Sequence, residues 1–444
     1  MHFKTIFKSL KNKDMLKRVL IILGILVAYR LLAQIPVPMG DASTFKEAVS
    51  NLLEKSDFSN FLNLISGGGL ASFSIILVGL SPYITGSIVV QLLTIAIPRL
   101  EELSKEGQEG KKTLNKITRY LTVGLALIQS VSMGIGFGTG YLTKYTWYNV
   151  ALVGIVMTAG SVALMWIGER ITEKGIGNGI SILLLVNILS GLPNDFMALY
   201  QNFVRGKSVT VAILSTVLIL GLIFALVVFT VYLQDGERRV AVQYAKKVQG
   251  RKMIGGQSSN IPIKVNTAGV IPVIFASSLL SLPAMIAQFA GKDISNPTSF
   301  GGHVIKTLTQ SYWCNPKEPV YTIGLLIYLF LLVVFAYFYT SITFNPNEVA
   351  NNMKKNGGFV PGIRPGKPTS EYLNKILNYI VFIGVCGLAI IAVIPIVLTG
   401  LTGVGSSLCF FGTSLIIIVG VILETLKQIE SMMTVRSYRG FLND

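Results

Sequence analysis

Proton transfer and ion binding within a membrane rely on Asp, Glu and His, and this chain keeps those residues out of its apolar interior. Of its 21 Asp and Glu, Glu169, Asp235 and Glu424 come closest, each at the end of an apolar stretch, and both histidines, His2 and His303, are peripheral. No HExxH, Walker A or GxSxG sequence occurs, so the local signatures of zinc proteolysis, nucleotide hydrolysis and serine-hydrolase chemistry are missing. Cys314, Cys386 and Cys409 make no disulfide framework and read as small apolar fillers. No enzyme, metal or cofactor is expected. An ion-coupled solute transporter would need buried coupling groups, and an intramembrane enzyme a catalytic pair within the apolar stretches. Neither is present.

The apolar stretches offer aliphatic side chains instead. Leu80 with Ile84, and Ile180 with Leu184, stand four residues apart and share a helix face. A narrow ring of such groups dewets, and so blocks ions without binding them. Ordinary helix packing or lipid contact is the competing explanation for any one pair. Between 58 and 70, Phe58, Phe61, Leu62 and Ile65 fall on one helical face before Gly67, Gly68 and Gly69. That helix is too short to cross a bilayer; it either lies at the interface or folds back into a protein-lined funnel.

Positioning such residues requires membrane-spanning helices, at roughly 20 residues per 30 Å of hydrocarbon. Ten apolar stretches meet that length: 19–36, 73–97, 118–138, 148–168, 176–192, 209–234, 266–290, 320–343, 373–398 and 408–426. With 51% hydrophobic residues, 13% charged residues and a mean hydropathy of +0.62, the fold class is an all-α polytopic membrane protein. Of the 38 Lys and Arg, 29 lie on the side of the N-terminus, which makes both termini cytoplasmic by the positive-inside rule. The first stretch is read as a retained span rather than a cleaved signal, because it runs on to Pro36 and Pro38 with no small-residue cleavage site. Before it, Phe3, Ile6, Phe7 and Leu10 recur among lysines, as in a surface-lying amphipathic helix or a solvated basic tail. Five spans in 1–192 and five in 209–444, separated by an outer hinge loop at 193–208, predict two inverted halves. Loops 235–265 and 345–371 concentrate positive charge on the cytoplasmic side, which topology alone would explain.

Several strings carry a resemblance. Ser81-Pro82-Tyr83-Ile84 leading to Gln91-Leu92-Leu93-Thr94, Thr118-Arg119-Tyr120, the Gly175 to Ser181 string GIGNGIS, the Gly269 to Ser278 string GVIPVIFASS and the Phe359 to Gly366 string FVPGIRPG occur in order along the chain. Together they resemble the SecY family, central channel subunits of the bacterial Sec protein translocase. The resemblance implies an hourglass pore of two five-helix halves. It implies a constriction of Leu80, Ile84, Ile180, Leu184, Ile274 and Ile417, closed from outside by a plug over about 58–70. A lateral gate between spans two and three on one side and seven and eight on the other would be lined by Gln91, Thr94, Gln129, Asn266, Ser277 and Ser278. Arg251, Lys252 and Arg364 would dock the ribosome and the SecA motor. Pro82, Pro272 and Pro283 would loosen the gate helices. The implied partners are SecE, SecG, SecA, translating ribosomes, unfolded preproteins with signal sequences, and lipid. The implied activity is passage of unfolded secretory polypeptides across the bacterial cytoplasmic membrane, with sideways release of membrane segments. Departures are small: Met39 follows Pro38, and Leu80 and Leu184 stand where Ile is commoner.

Overall fold

The computed structural model describes residues 13–37, 74–141, 146–244, 247–249, 252–254, 258–289, 299–316, 318–402 and 411–440. The proposed plug, Arg251 and the first twelve residues lie outside this set. Ten long helices account for the ten predicted spans: Lys13–Leu32, Ser81–Ala96, Gln108–Tyr141, Trp147–Lys174, Gly179–Phe203, Val209–Asp235, Ile271–Phe289, Ile323–Thr343, Lys367–Thr402 and Phe411–Gly440, hereafter the first to tenth spans. Among the described residues, the fourth, sixth, eighth, ninth and tenth are long and apolar enough to cross a membrane on composition alone. The second reaches that standard only with Pro98–Lys105, to which it is bent by 103°. The fifth and seventh carry shorter apolar runs, ending at Pro193 and Leu280. The first span is diluted by Lys13, Asp14, Lys17, Arg18 and Arg30.

Two boundaries near the candidate site differ from the sequence-based expectation. Residues 193–203, assigned to the outer hinge loop, continue the fifth span to Phe203, with Pro193 accommodated inside the helix. The link to the sixth span shrinks to residues 204–208. The second span begins with seven non-helical residues, 74–80, all buried except half-buried Ile75, before helix starts at Ser81. Pro82 and Pro272 both sit in the first turn of their helices, where a missing N–H removes no intrahelical bond. Only Pro283 of the three expected loosening prolines lies in a helix interior.

Close helix approach is bought with glycine. A Cβ on Gly154 of the fourth span would come within 2.8 Å of Val131 on the third, and one on Gly387 of the ninth within 2.5 Å of Leu233 on the sixth. Two apolar cores stand out among the described residues. One gathers Tyr29, Ile76, Leu164, Ile171 and Leu183 from the first half, with Ile417 and Val421 of the tenth span. The other joins Leu233, Val273, Tyr328, Leu332, Leu377 and Ile391 of the second half. The halves meet where the fifth span packs on the sixth and tenth, and again where the third meets the seventh.

The two basic loops build one platform. Strand β1 (Glu237–Tyr244) alternates outward charge with inward Val240 and Val242, the period-two pattern of a half-buried strand. The short strands β2 (Lys247–Gln249) and β3 (Lys252–Ile254) pair as a separate hairpin. Strand β4 (Ser258–Lys264) pairs antiparallel with β1, and β5 (Gly358–Phe359), from the second loop, pairs with its other edge through Gln243 and Tyr244.

Candidate pore constriction and lateral seam

Each ring residue is held by a local device. Leu80 ends the buried turn 74–80, where Gly79 adopts φ +60°. The Ser161 hydroxyl donates to the Gly79 carbonyl at 2.6 Å, and bare Gly160 lets the Ile75 carbonyl approach so closely that a Cβ would lie 2.0 Å away. Non-helical backbone at this depth is tolerated because protein surrounds and bonds it. Leu80 is the helix N-cap and Ile84 follows one turn later.

Ile180 and Leu184 owe their place to the GIGNG string. Gly177 turns the chain at φ +84°, the Asn178 side chain caps the helix by accepting from the Ile180 N–H at 3.1 Å, and Gly179 packs where a Cβ would lie 1.9 Å from the Gly168 carbonyl. Ile274 follows Gly269, which has φ +67°, in the opening turn of the seventh span, and Ile417 lies in the tenth. All six residues fall in one apolar cluster, Leu80 and Ile417 fully buried and the other four half-buried. Both face pairs read from spacing thus belong to the same apolar cluster.

On the opposite side, Pro36 pairs with Ser74 and the Ile75 N–H donates to the Ile35 carbonyl at 3.0 Å. Residues 35–36 and 74–75 thus lie side by side, six residues before Leu80. On the basic side, a cavity of about 590 Å³ opens directly against Ile180 and is lined by Tyr83, Thr118, Glu173, Glu424 and Gln428, among others. Within it the Arg119 guanidinium donates through Nε and Nη2 to both Glu169 oxygens, at 2.7 and 2.8 Å. With both partners in contact with solvent, such a pair adds about 1 kcal/mol at most; its effect is to neutralise charge beside the constriction. Sequence reasoning noticed Arg119 and Glu169 separately. Their positions at the same-side ends of consecutive spans were the available signal.

The predicted gate residues divide. Gln91 reaches across from the second span to the eighth, accepting from the Tyr339 hydroxyl at 3.2 Å. Thr94 donates to the Val90 carbonyl of its own helix at 2.7 Å. Ser277 is buried beside Tyr328, within the second half. Asn266 is buried where the chain passes Gly384 of the ninth span, and its Nδ2 has no partner among the described residues. Gln129 and Ser278 are half-buried on the third and seventh spans. The contact of the second span with the seventh and eighth is made by residues to which the sequence reading gave no role: Phe275, Phe335, Phe338 and Tyr339, packed against Ile88 and Leu92 of the second span. The aromatic run 335–339 was the available sign, but a lipid-facing face would read the same way.

Of the proposed docking residues, Arg364 is exposed, carried on a loop turned by Gly362 at φ +81° and Gly366 at φ +104° and tied down by a Thr369 hydroxyl donated to its carbonyl at 2.8 Å. Lys252 opens β3. Among the described residues no group of three or more His, Cys, Asp or Glu is placed to hold a metal ion.

Ten long helices among the described residues, an aliphatic cluster with a polar cavity against it, and an aromatic contact from the second span to the seventh and eighth define an all-α polytopic membrane protein of channel architecture. A protein-family model described as SecY matches residues 74–426, and the chain belongs to that family. It is 42% identical to the protein translocase subunit SecY of Streptomyces coelicolor over 98% of each chain. It is also 41% identical to the subunit of the same name from Mycobacterium tuberculosis, again over 98% of each. Solved structures share the fold. One of a protein-conducting channel superposes with a TM-score of 0.61 at 17% identity, covering 92% of this chain and 90% of that one. Sec61 in a canine ribosome–channel complex gives 0.56 at 16%, with 92% and 90% covered. The relatives are translocase subunits, not enzymes.

Proposed function

We infer that this chain forms the conduit of a bacterial protein translocase, passing unfolded secretory polypeptides across the cytoplasmic membrane and releasing apolar segments sideways into lipid. The observation that carries this reading is the meeting of Leu80, Ile84, Ile180, Leu184, Ile274 and Ile417, from four spans, in one cluster with a polar cavity against it. An uncharged, flexible waist makes no specific contacts, so it accepts many sequences while excluding hydrated ions. The driving energy comes from outside the chain, from the SecA motor or from translation. The halves, 1–203 and 209–444, rock about the fifth-to-sixth span link at 204–208 to widen the waist. The segment 58–70 plugs it from outside, a reading supported by the loop base at Pro36 and Ser74.

Both termini face the cytoplasm. Arg251, Lys252 and Arg364 on the basic platform receive the ribosome, whose RNA is polyanionic, and SecA; SecE and SecG complete the assembly. The test is reconstitution: vesicles holding this chain with SecE and SecG, supplied with SecA, ATP and a secretory precursor, should protect the precursor from added protease. Precursor that stays fully digestible while the channel is intact would reject the reading.

A further inference from the structure

We propose that the short helix Phe300–Leu308, in the loop between the seventh and eighth spans, is an interfacial anchor whose exposed face sits in the outer leaflet of the bilayer. This role rests on the channel reading above, which puts the loop on the outer side.

The two faces of this helix are unlike. At about 100° per residue, Phe300 and Val304 share a face and Lys306 lies opposite Val304. Lys306 is 5% exposed. Its ammonium stands 2.8 Å from Glu318 Oε2 and 4.7 Å from the ring centres of both Tyr312 and Tyr321, so the buried charge is paired. One residue on, the Thr307 carbonyl accepts from Nε1 of fully buried Trp313 at 2.7 Å. Bare Gly324, in the first turn of the eighth span, admits both groups: a Cβ there would fall 1.8 Å from the Thr307 carbonyl oxygen. The back of the helix is thereby joined rigidly to the eighth span. Its other face is left outward, with Phe300 85% exposed and His303 and Val304 exposed beside it.

What covers that face follows from its neighbours. Val320, Ile323, Leu326, Phe330 and Val333 are exposed and recur every three or four residues, forming the lipid-facing stripe of the eighth span. His303 Nδ1 lies 3.0 Å from the Tyr321 hydroxyl, so Phe300 and Val304 extend the stripe past its outer end. A helix so placed lies in the interface plane, its apolar side about 5–10 Å deep. Within residues 299–308 the only Lys or Arg is Lys306, and its charge is turned inward. Attachment is therefore apolar and does not depend on anionic lipid, unlike that of a basic surface helix. Through Gly324 and Trp313 the anchor keeps the outer end of the eighth span at one depth in the bilayer.

The experiment uses the full chain with its partner subunits in phosphatidylcholine vesicles. These contain a phospholipid carrying a photoreactive diazirine near either the ester end or the methyl end of one acyl chain, and labelled residues are read by mass spectrometry. The ester-end probe should label Phe300 and Val304. The methyl-end probe should instead label Val333 and Val334, which are exposed about 15 Å below Ile323. Phe300→Asp should cut ester-end labelling of Val304 several-fold and leave methyl-end labelling of Val333 as it was. Added phosphatidylglycerol should change neither. Label on Val333 and Val334 with none on Phe300 or Val304 from either probe overturns the anchor alone. Label on Phe300 and Val304 only when phosphatidylglycerol is present overturns the apolar attachment. Label there only after the partner subunits are removed gives the face to a subunit and overturns the lipid contact. Absence of label along the eighth span as well overturns its placement in lipid, on which the channel reading stands.

Discussion

The proposed waist and the proposed seam both consist of apolar side chains, yet they are built differently. Six aliphatic residues from the second, fifth, seventh and tenth spans make up the proposed waist, without a side-chain hydrogen bond of their own. The seam is closed by stacked aromatic rings, with a hydrogen bond from Tyr339 to Gln91 joining the two halves. The first closure is non-directional and re-forms around whatever passes. The second is directional and holds one registered state until something offsets its loss. A passage for any sequence and a gate for selected ones need that difference.

The comparison breaks most severely if the backbone under the waist is disturbed. Gly179→Ala places a Cβ 1.9 Å from the Gly168 carbonyl, which must push the GIGNG turn away and carry Ile180 and Leu184 with it. A loss of about 3 kcal/mol or more is expected, read as a fall in the thermal midpoint of the purified protein and in its cellular amount. Next comes the seam: Phe275→Ala removes both 5.2 Å ring contacts and should destabilise by about 3 kcal/mol, while raising the rate at which a lipid-soluble thiol reagent labels a cysteine placed at Ile88. Unchanged labelling would detach Phe275 from seam closure.

A substitution far from both closures calibrates them. Arg364→Glu on the platform should lower precursor export several-fold while leaving the amount of inserted channel unchanged; full export would remove Arg364 from the docking surface. The smallest effect is reserved for Leu80→Ile with Leu184→Ile. These swaps conserve volume and should cost less than about 1.5 kcal/mol, with ion leakage through planar bilayers unaltered. A large leak from so mild a change would mean that the waist depends on shape more specifically than a non-directional closure allows.

Much of this was legible in the sequence, because span length and hydrophobicity are dictated by the bilayer and leave a strong linear trace. The i, i+4 spacing marks Leu80 with Ile84 and Ile180 with Leu184 as face pairs, and these four fall in one apolar cluster with Ile274 and Ile417, which only the family resemblance had suggested. What escaped notice depends on partners distant in sequence. Residues 74–80 read as part of a helix because they are apolar, and only the Ser161 hydroxyl and bare Gly160, more than 80 residues on, make an irregular backbone tolerable there. Pro193 looked like a helix end, yet the fifth span accommodates it and continues to Phe203. Strand β5 is two residues long and pairs with β1 more than 100 residues earlier, so the loops read as two basic segments and not as one sheet. Tyr339 was hidden among neighbouring aromatics, of which Phe335, Tyr337 and Phe338 are half-buried and Phe330 is exposed.

The central claim is that a chain in transit passes through the aliphatic waist. A secretory precursor stalled midway, carrying a photoreactive residue in its trapped segment, should crosslink to cysteine-tagged positions Ile84, Ile274 and Ile417 and not to Leu214 or Leu218, which are exposed on the sixth span. Crosslinks confined to Leu214, Leu218 or other outward-facing positions, with none at the three waist residues, would contradict it.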